Sequence, residues 1–324
     1  VTEGDPRCDG VLFTHTHGDH IGQLDRILPG IPIYMGPTAK ELYLLLNHRL
    51  ARALSIDNGK TIVALNEAYT YAAAKPITIG SITVTPLFID HSAFDAYMIL
   101  IEAEGLRVLH TGDFRLHGFR GPKTISMLQA YVGQVDWLVC EGTMLSREKA
   151  TVDSERKLQS EERRLMEQHA RVFVLCSSMN IDRIAAFIKA KPDQRPTICD
   201  SYQRDVLRCV EKRHGDKTSL YRFGKLDCDV DKIMHDPQKN QSFLMFIRAN
   251  FWSEKMLEAF DDGLIVYSMW DGYLSGKKKN QKLVDLLKER DWVPLHTSGH
   301  ATADDLREVG ETVNPRKGII PIHS

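Results

Sequence analysis

Four potential metal ligands fall within six residues at His15-Thr16-His17-Gly18-Asp19-His20, and few folds can satisfy so dense a donor set. The stretch follows a short apolar run, GVLFT (10–14), and leads into HIGQLDRIL (20–28), where Ile21, Leu24, Ile27 and Leu28 recur at helical spacing. The pattern predicts a strand, a donor-rich turn and a helix over 20–28. Histidines at i and i+2 leaving a strand project to one side, and a turn at Gly18 brings Asp19 and His20 round from the helix N-terminus. Three imidazoles and a carboxylate suit zinc, and also iron, manganese or nickel. Further donors recur after strand-like runs: His91 after ITVTPLFID, Asp113 in HTGDFR, and His323 after GIIPI. Singly, each fits an ordinary surface or capping role. Together they are a ligand set from four strand ends that can converge at one sheet edge. Seven donors exceed the need of one tetrahedral ion and suit two.

Composition narrows the partners. The 324 residues carry 42 Lys and Arg against 43 Asp and Glu, a formal charge of −1, so an overall basic footprint for nucleic acid is absent. A polyanionic substrate would have to be drawn by a local patch or a metal. No apolar run approaches a membrane span and no basic start leads into an apolar run, so no membrane partner and no secretion signal are expected. The six cysteines form no CxxC pair, which argues against a disulfide framework and for a reducing cytoplasm. The length favours two domains.

The halves differ in kind. PTAKELYLLLNHRLARAL (37–54) predicts a helix, with Pro37 in its first turn and Leu42, Leu45, Leu46, Leu50 and Ala53 on one stripe. Residues 77–113 predict three strands, and VDWLVCE (135–141) a further buried one. From about residue 153 a charged helix precedes VFVLC, and strands then alternate with helices to WVPLH, which implies right-handed crossovers and a parallel sheet. The segment 214–241 is polar and reads as irregular. The chain closes on one helix and one strand. Ser146 and Lys149 match a serine lactamase SxxK spacing without its companion motifs, and GYLSGKK (272–278) has the wrong spacing for a P-loop.

The order HxHxDH, lone His, GD and late His resembles the metallo-β-lactamase fold, a four-layer αββα sandwich with metals at one sheet edge. The resemblance implies two divalent ions, zinc first and manganese or iron also accommodated. His15, His17 and His91 would hold one ion, Asp19, His20 and His323 the other, and Asp113 would bridge them. About 200 residues separate Asp113 from His323, and they resemble the insertion of the β-CASP branch, which includes ribonuclease J and the cleavage and polyadenylation endonuclease. Three marks of that branch match: Glu141 in VDWLVCEGT, His300 in HTSGHA and His323 in IIPIHS. CSSMNIDR (176–183) matches the turn that opens the insertion. The implied architecture is an α/β chain with a metallo-β-lactamase domain over 1–150, an inserted parallel α/β domain over 151–294 and a return segment over 295–324. The family has further strands ahead of the motif, so the chain reads as trimmed.

The same resemblance implies a metal-dependent hydrolase that cleaves phosphodiester bonds with a di-metal-bound hydroxide. A histidine at the last mark resembles the RNA-acting members, so the expectation is a ribonuclease binding RNA ahead of DNA or a small phosphodiester. The alternative is a small-molecule metallohydrolase of the same fold. His300 is the candidate general acid, with Glu141 accepting its other N–H, and Asp19 completes the catalytic set. Ser177, Ser178 and Ser298 are candidate phosphate contacts, the first two beside Asn180 at a helix start. Tyr97, Trp137 and Trp270 could stack bases, although burial is their ordinary role. Lys277, Lys278, Lys279 and Lys282 form the one dense basic run. A homodimer is compatible with all of this.

Overall fold

A computed structural model describes residues 2–5, 7–145, 152–235 and 241–323, with the side chains of 230 and 231 excepted. The SxxK match at Ser146 lies outside the described residues. The chain divides into two compact units, 1–152 with 299–324 and 153–298.

The first unit opens with β1 (Val11–Leu12), the single turn α1 (Gly18–Ile21), β2 (Ile33–Met35), α2 (Pro37–Leu54), α3 (Gly59–Glu67) and β3 (Tyr69–Thr70). β1, β2 and β3 form a parallel three-stranded sheet. The helix expected over 20–28 is a correction. α1 ends at Gly22, whose N–H closes on Gly18, and only a 3₁₀ turn (Leu24–Arg26) follows. Ile21 and Leu24 are buried all the same, so the apolar spacing served packing rather than helix length.

Four strands, not three, fill 77–113: β4 (Ile77–Ile79), β5 (Ile82–Ile89), β6 (Ala96–Ala103) and β7 (Leu106–His110). The chain reverses at Gly80, whose φ of +59° is cheap only for glycine, and splits the first expected strand into a hairpin. α4 (Thr124–Tyr131) and β8 (Trp137–Glu141) complete the passage.

Along β6 the side chains divide by parity. Ala96, Met98 and Leu100 pack towards Leu128 and Val132 at α4, while Tyr97 and Ile99 pack towards Tyr71, Leu12 and Tyr34 of the small sheet. On the small sheet Tyr34 faces that cluster, whereas Ile33 and Met35 face Ala39 of α2 and Leu65 of α3. Strands buried on both faces lose the apolar–polar alternation and read as continuous apolar runs.

The second unit begins with α5 (Glu155–Gln168) and is built on β9 (Arg171–Leu175), α6 (Ile181–Ala190), β10 (Thr197–Ile198), α7 (Ser201–His214), β11 (Leu226–Asp227), α8 (Val230–His235), β12 (Phe243–Ile247), α9 (Phe251–Ala259), β13 (Leu264–Tyr267), α10 (Gln281–Leu287) and β14 (Trp292–Pro294). Its six strands are parallel, in the order β11-β10-β12-β9-β13-β14. β11 and α8 fall within 214–241, which is therefore not wholly irregular. Arg183 lies at the centre of this unit, fully buried between Glu155, Ser268 and the Leu295 carbonyl. Thr297 donates to the Asp153 carbonyl at 2.6 Å. These bonds keep 295–298 with the second unit, so the units change over at 152/153 and 298/299 rather than at 150/151 and 294/295.

The chain returns to the first unit with α11 (Ala303–Val313) and β15 (Gly318–Ile322). β15 joins the mixed six-stranded sheet β15-β8-β7-β6-β5-β4 beside β8. α11 supplies Val309 and Val313 to the cluster under α4. Among the described residues all six cysteines are free, and no helix is long and apolar enough to cross a membrane.

Candidate metal centre

The segments that follow β1, β5, β7 and β15, the end of β8 and the stretch leading into α11 bring the candidate donors together in the first unit. His15, His17, His91 and Asp113 each offer a ligand atom within 4.8 Å of the others. A second group, Asp113, Glu141, His300 and His323, and a third, Asp19, His20 and His323, meet the same limit. Asp113 belongs to two groups and His323 to two, so the donors form a continuous set.

Each side chain is aimed by its surroundings. His91 is fully buried, and its Nδ1 sits 2.6 Å from the Gly299 carbonyl, a partner that can only accept. The proton therefore lies on Nδ1, and Nε2 is left with its lone pair 3.0 Å from His17 Nδ1. A Cβ on Gly299 would sit 2.4 Å from Ser92 Oγ, so only glycine allows this approach. Asp90, next in sequence to His91, is buried and accepts from Arg115 Nε at 2.7 Å and from the Arg120 and Gly121 amides. Burial alone would raise its carboxyl, but the Arg115 and Arg120 guanidiniums hold it below the usual range. This network joins the loop bearing His91 to the loop bearing Asp113.

Asp113 is 1% exposed, with Oδ2 3.2 Å from His20 Nε2 and 3.7 Å from His15 Nε2. Burial opposes its charge, yet the His20 hydrogen bond and the surrounding imidazoles hold its carboxyl at about 2. Burial also pushes His17 down to about 4, and with neighbouring imidazoles drives His15 and His91 well below the ordinary histidine value. His20 moves up: burial works against its protonation, but the Asp113 hydrogen bond prevails. At neutral pH, then, the buried His15 and His91 and the half-buried His17 hold lone pairs beside an ionised carboxylate.

Those groups also leave donor atoms unanswered. His15 Nε2 and Asp113 Oδ1 are buried without a hydrogen-bond partner among the described residues. Orphaned buried polar atoms are costly, and atoms converging on one point fit a cation. The residues present therefore suit a bound divalent metal in donor number and chemistry.

Glu141 is buried at the end of β8. Its Oε1 accepts from the Phe114 amide at 2.8 Å, and its Oε2 lies 3.0 Å from His300 Nδ1. His323 Nε2 lies 3.0 Å from Asp19 Oδ2, and its Nδ1 lies 2.6 Å from Thr143 Oγ1. Thr143, Asp90 and the Gly299 carbonyl were not singled out by sequence reasoning. Their only signal was adjacency to donors, Thr143 two residues beyond Glu141 and Asp90 one before His91.

The expected phosphate contacts lie in the second unit. Ser177 is exposed and accepts from the Met179 amide at 3.3 Å. Ser178 is buried and its hydroxyl accepts from Arg248. Ser298 is half-buried at the end of that unit. Tyr97 is corrected as a stacking ring: it is 4% exposed, and its hydroxyl donates to Asp95 at 2.8 Å. Trp137 is half-buried on β8. Trp270 is half-buried with Tyr273 at its edge and Lys278 over its face, while Lys277, Lys279 and Lys282 point into solvent.

A family model described as a Beta-lactamase superfamily domain matches residues 2–183. Ribonuclease J of Sinorhizobium meliloti is 22% identical over 348 aligned positions, covering 97% of this chain and 57% of the relative. Endoribonuclease YSH1 of Mycosarcoma maydis is 27% identical over 184 positions, covering 51% of this chain and 20% of the relative. The chain thus spans little more than half the length of the one and a fifth of the other. A solved protein of unknown function from Enterococcus faecalis superposes with a TM-score of 0.76 at 22% identity, over 99% of this chain and 78% of that one, which is a likeness of fold.

Proposed function

The chain belongs to the β-lactamase superfamily, and from that premise we propose that it is a two-metal phosphodiesterase acting on RNA. The observation that carries the proposal is the sharing of buried Asp113 between two donor groups. His15, His17 and His91 would hold one ion, Asp19, His20 and His323 the other, with Asp113 common to both. Zinc, manganese or iron suits such nitrogen and oxygen donors. When bound, the ions supply a water activated near neutral pH and neutralise charge on phosphoryl oxygens.

The remaining work falls to the chain's own groups. Glu141 Oε2 accepts a hydrogen bond from His300 Nδ1–H, which fixes the tautomer and leaves Nε2 for proton transfer. His300 Nε2 then delivers a proton to the leaving oxygen, and the Phe114 amide keeps Glu141 from turning away. Asp113, already ionised, needs no proton loss before it binds a cation.

We read 1–152 with 299–324 as an αββα sandwich and 153–298 as a β-CASP insertion. Two ribonuclease relatives, one aligned along nearly the whole chain, support RNA as substrate. The test pairs 5′- and 3′-labelled single-stranded RNA with a bis-nitrophenyl phosphodiester. Metal-loaded protein should cleave RNA, and Asp113→Ala should lose cleavage by more than about a thousandfold with unchanged far-UV circular dichroism. Turnover of the small diester alone would assign the chain to small-molecule hydrolysis. Full activity in Asp113→Ala would refute the two-metal site.

A further inference from the structure

We propose that Thr143 is a positioning residue for the second ion, acting through His323; the inference rests on the two-metal reading above. The threonine hydroxyl has one hydrogen. Its Oγ1 is 2.9 Å from the His323 carbonyl, which can only accept, so the hydrogen is committed there. The same Oγ1 is 2.6 Å from His323 Nδ1 and has only lone pairs left to offer. His323 must therefore donate Nδ1–H to Thr143. In that tautomer Nε2 presents its lone pair, 3.0 Å from Asp19 Oδ2.

Two acceptor atoms at that distance repel unless a cation or a proton lies between them. Thr143 thus holds the imidazole in the one orientation and tautomer that make Nε2 and Asp19 a ligand pair. His91 and His300 are held in the same manner, by the Gly299 carbonyl and by Glu141. Thr143 is the neutral, hydroxyl version of that device just past the end of β15, where His323 adopts a positive φ of 51° and lies outside the strand. Without a clamp, an imidazole so placed would sample several rotamers and pay their entropy on binding.

The experiment counts metal rather than turnover. Wild type, Thr143→Val and Thr143→Ser are stripped, reloaded with zinc, dialysed and measured by plasma mass spectrometry, with affinities from competition against a chromophoric chelator. Wild type should hold two ions per chain. Thr143→Val, which keeps the shape and loses the hydroxyl, should weaken the second ion at least tenfold and retain close to one. Thr143→Ser, which restores the hydroxyl, should retain two. A Val variant that holds both ions as tightly as wild type, or a Ser variant that loses as much as Val, overturns the role of Thr143 alone. A wild-type chain that takes up fewer than two ions overturns the two-metal reading and the inference with it.

Discussion

Acidifying the metal-stripped protein should cost the first unit a large part of its stability before Asp113 titrates. The His17 imidazole ordinarily binds its proton at 6.5 but in the fold only at about 4, because burial disfavours the cation. Between those values the unfolded chain holds a proton that the folded chain refuses, so stability is full above 6.5 and falls as the pH drops towards 4. The difference is worth about 3 kcal/mol, or 2–3 kcal/mol once discounted for partial exposure. His15 and His91 act in the same direction, again because they are buried. His20 opposes them: its folded value is raised, so its contribution is present at low pH and lost on rising through that value. Asp113 keeps its charge throughout this window, its stabilisation of about 2 kcal/mol being lost only from 3.8 down to about 2. Against a total of about 5–15 kcal/mol, the histidine loss should be plain. Urea unfolding in chelator near pH 7, 5.5 and 4.5, with pulsed hydrogen exchange read on peptides from β6 and β7, isolates the first unit. His17→Gln should remove its own share of the slope, with His15 and His91 supplying the rest. Equal stability at the two extremes, or an undiminished slope in His17→Gln, would refute the reasoning.

Three further outcomes follow from particular contacts. His300→Ala should lower RNA turnover by about 10²–10⁴-fold while leaving two ions bound, as plasma mass spectrometry would record; loss of an ion would make His300 a ligand instead. Arg183→Met should destabilise the second unit by about 3–5 kcal/mol in urea, since it strands Glu155 as a buried charge in place of an ion pair at 2.9 Å. Gly36→Ala should lower the melting temperature by an amount equivalent to about 1–3 kcal/mol, because the added carbon would lie 2.4 Å from Asp95 Oδ2, which accepts from the Thr38 and Ala39 amides at the start of α2. A melting curve unchanged from wild type would mean that Asp95 gives way freely.

Local features were legible wherever neighbouring residues agreed. α2 spans Pro37–Leu54 as its terminal proline and apolar stripe predict, and α6 starts where Asn180 accepts from the Arg183 amide. β2 and β3 are three and two residues long, too short for any periodicity to register. α3 begins at a glycine without a side-chain cap, and α4 likewise carries no capping side chain, so neither announces its start. The break at Gly80 was missed because Ile79 and Ile82 make the apolar run look unbroken across the turn.

The chain's own residue order settled which atoms are available: a donor-rich turn after β1, single donors after later strands, and a charge balance without an overall basic footprint. Only the tertiary structure decided how they are held. His323 meets Asp19 across 304 residues, His91 meets the Gly299 carbonyl across 208, and His300 meets Glu141 across 159. No local pattern records such pairings, because propensity and periodicity act over a few residues while imidazole tautomers are chosen by whichever oxygen the folded sheet edge delivers.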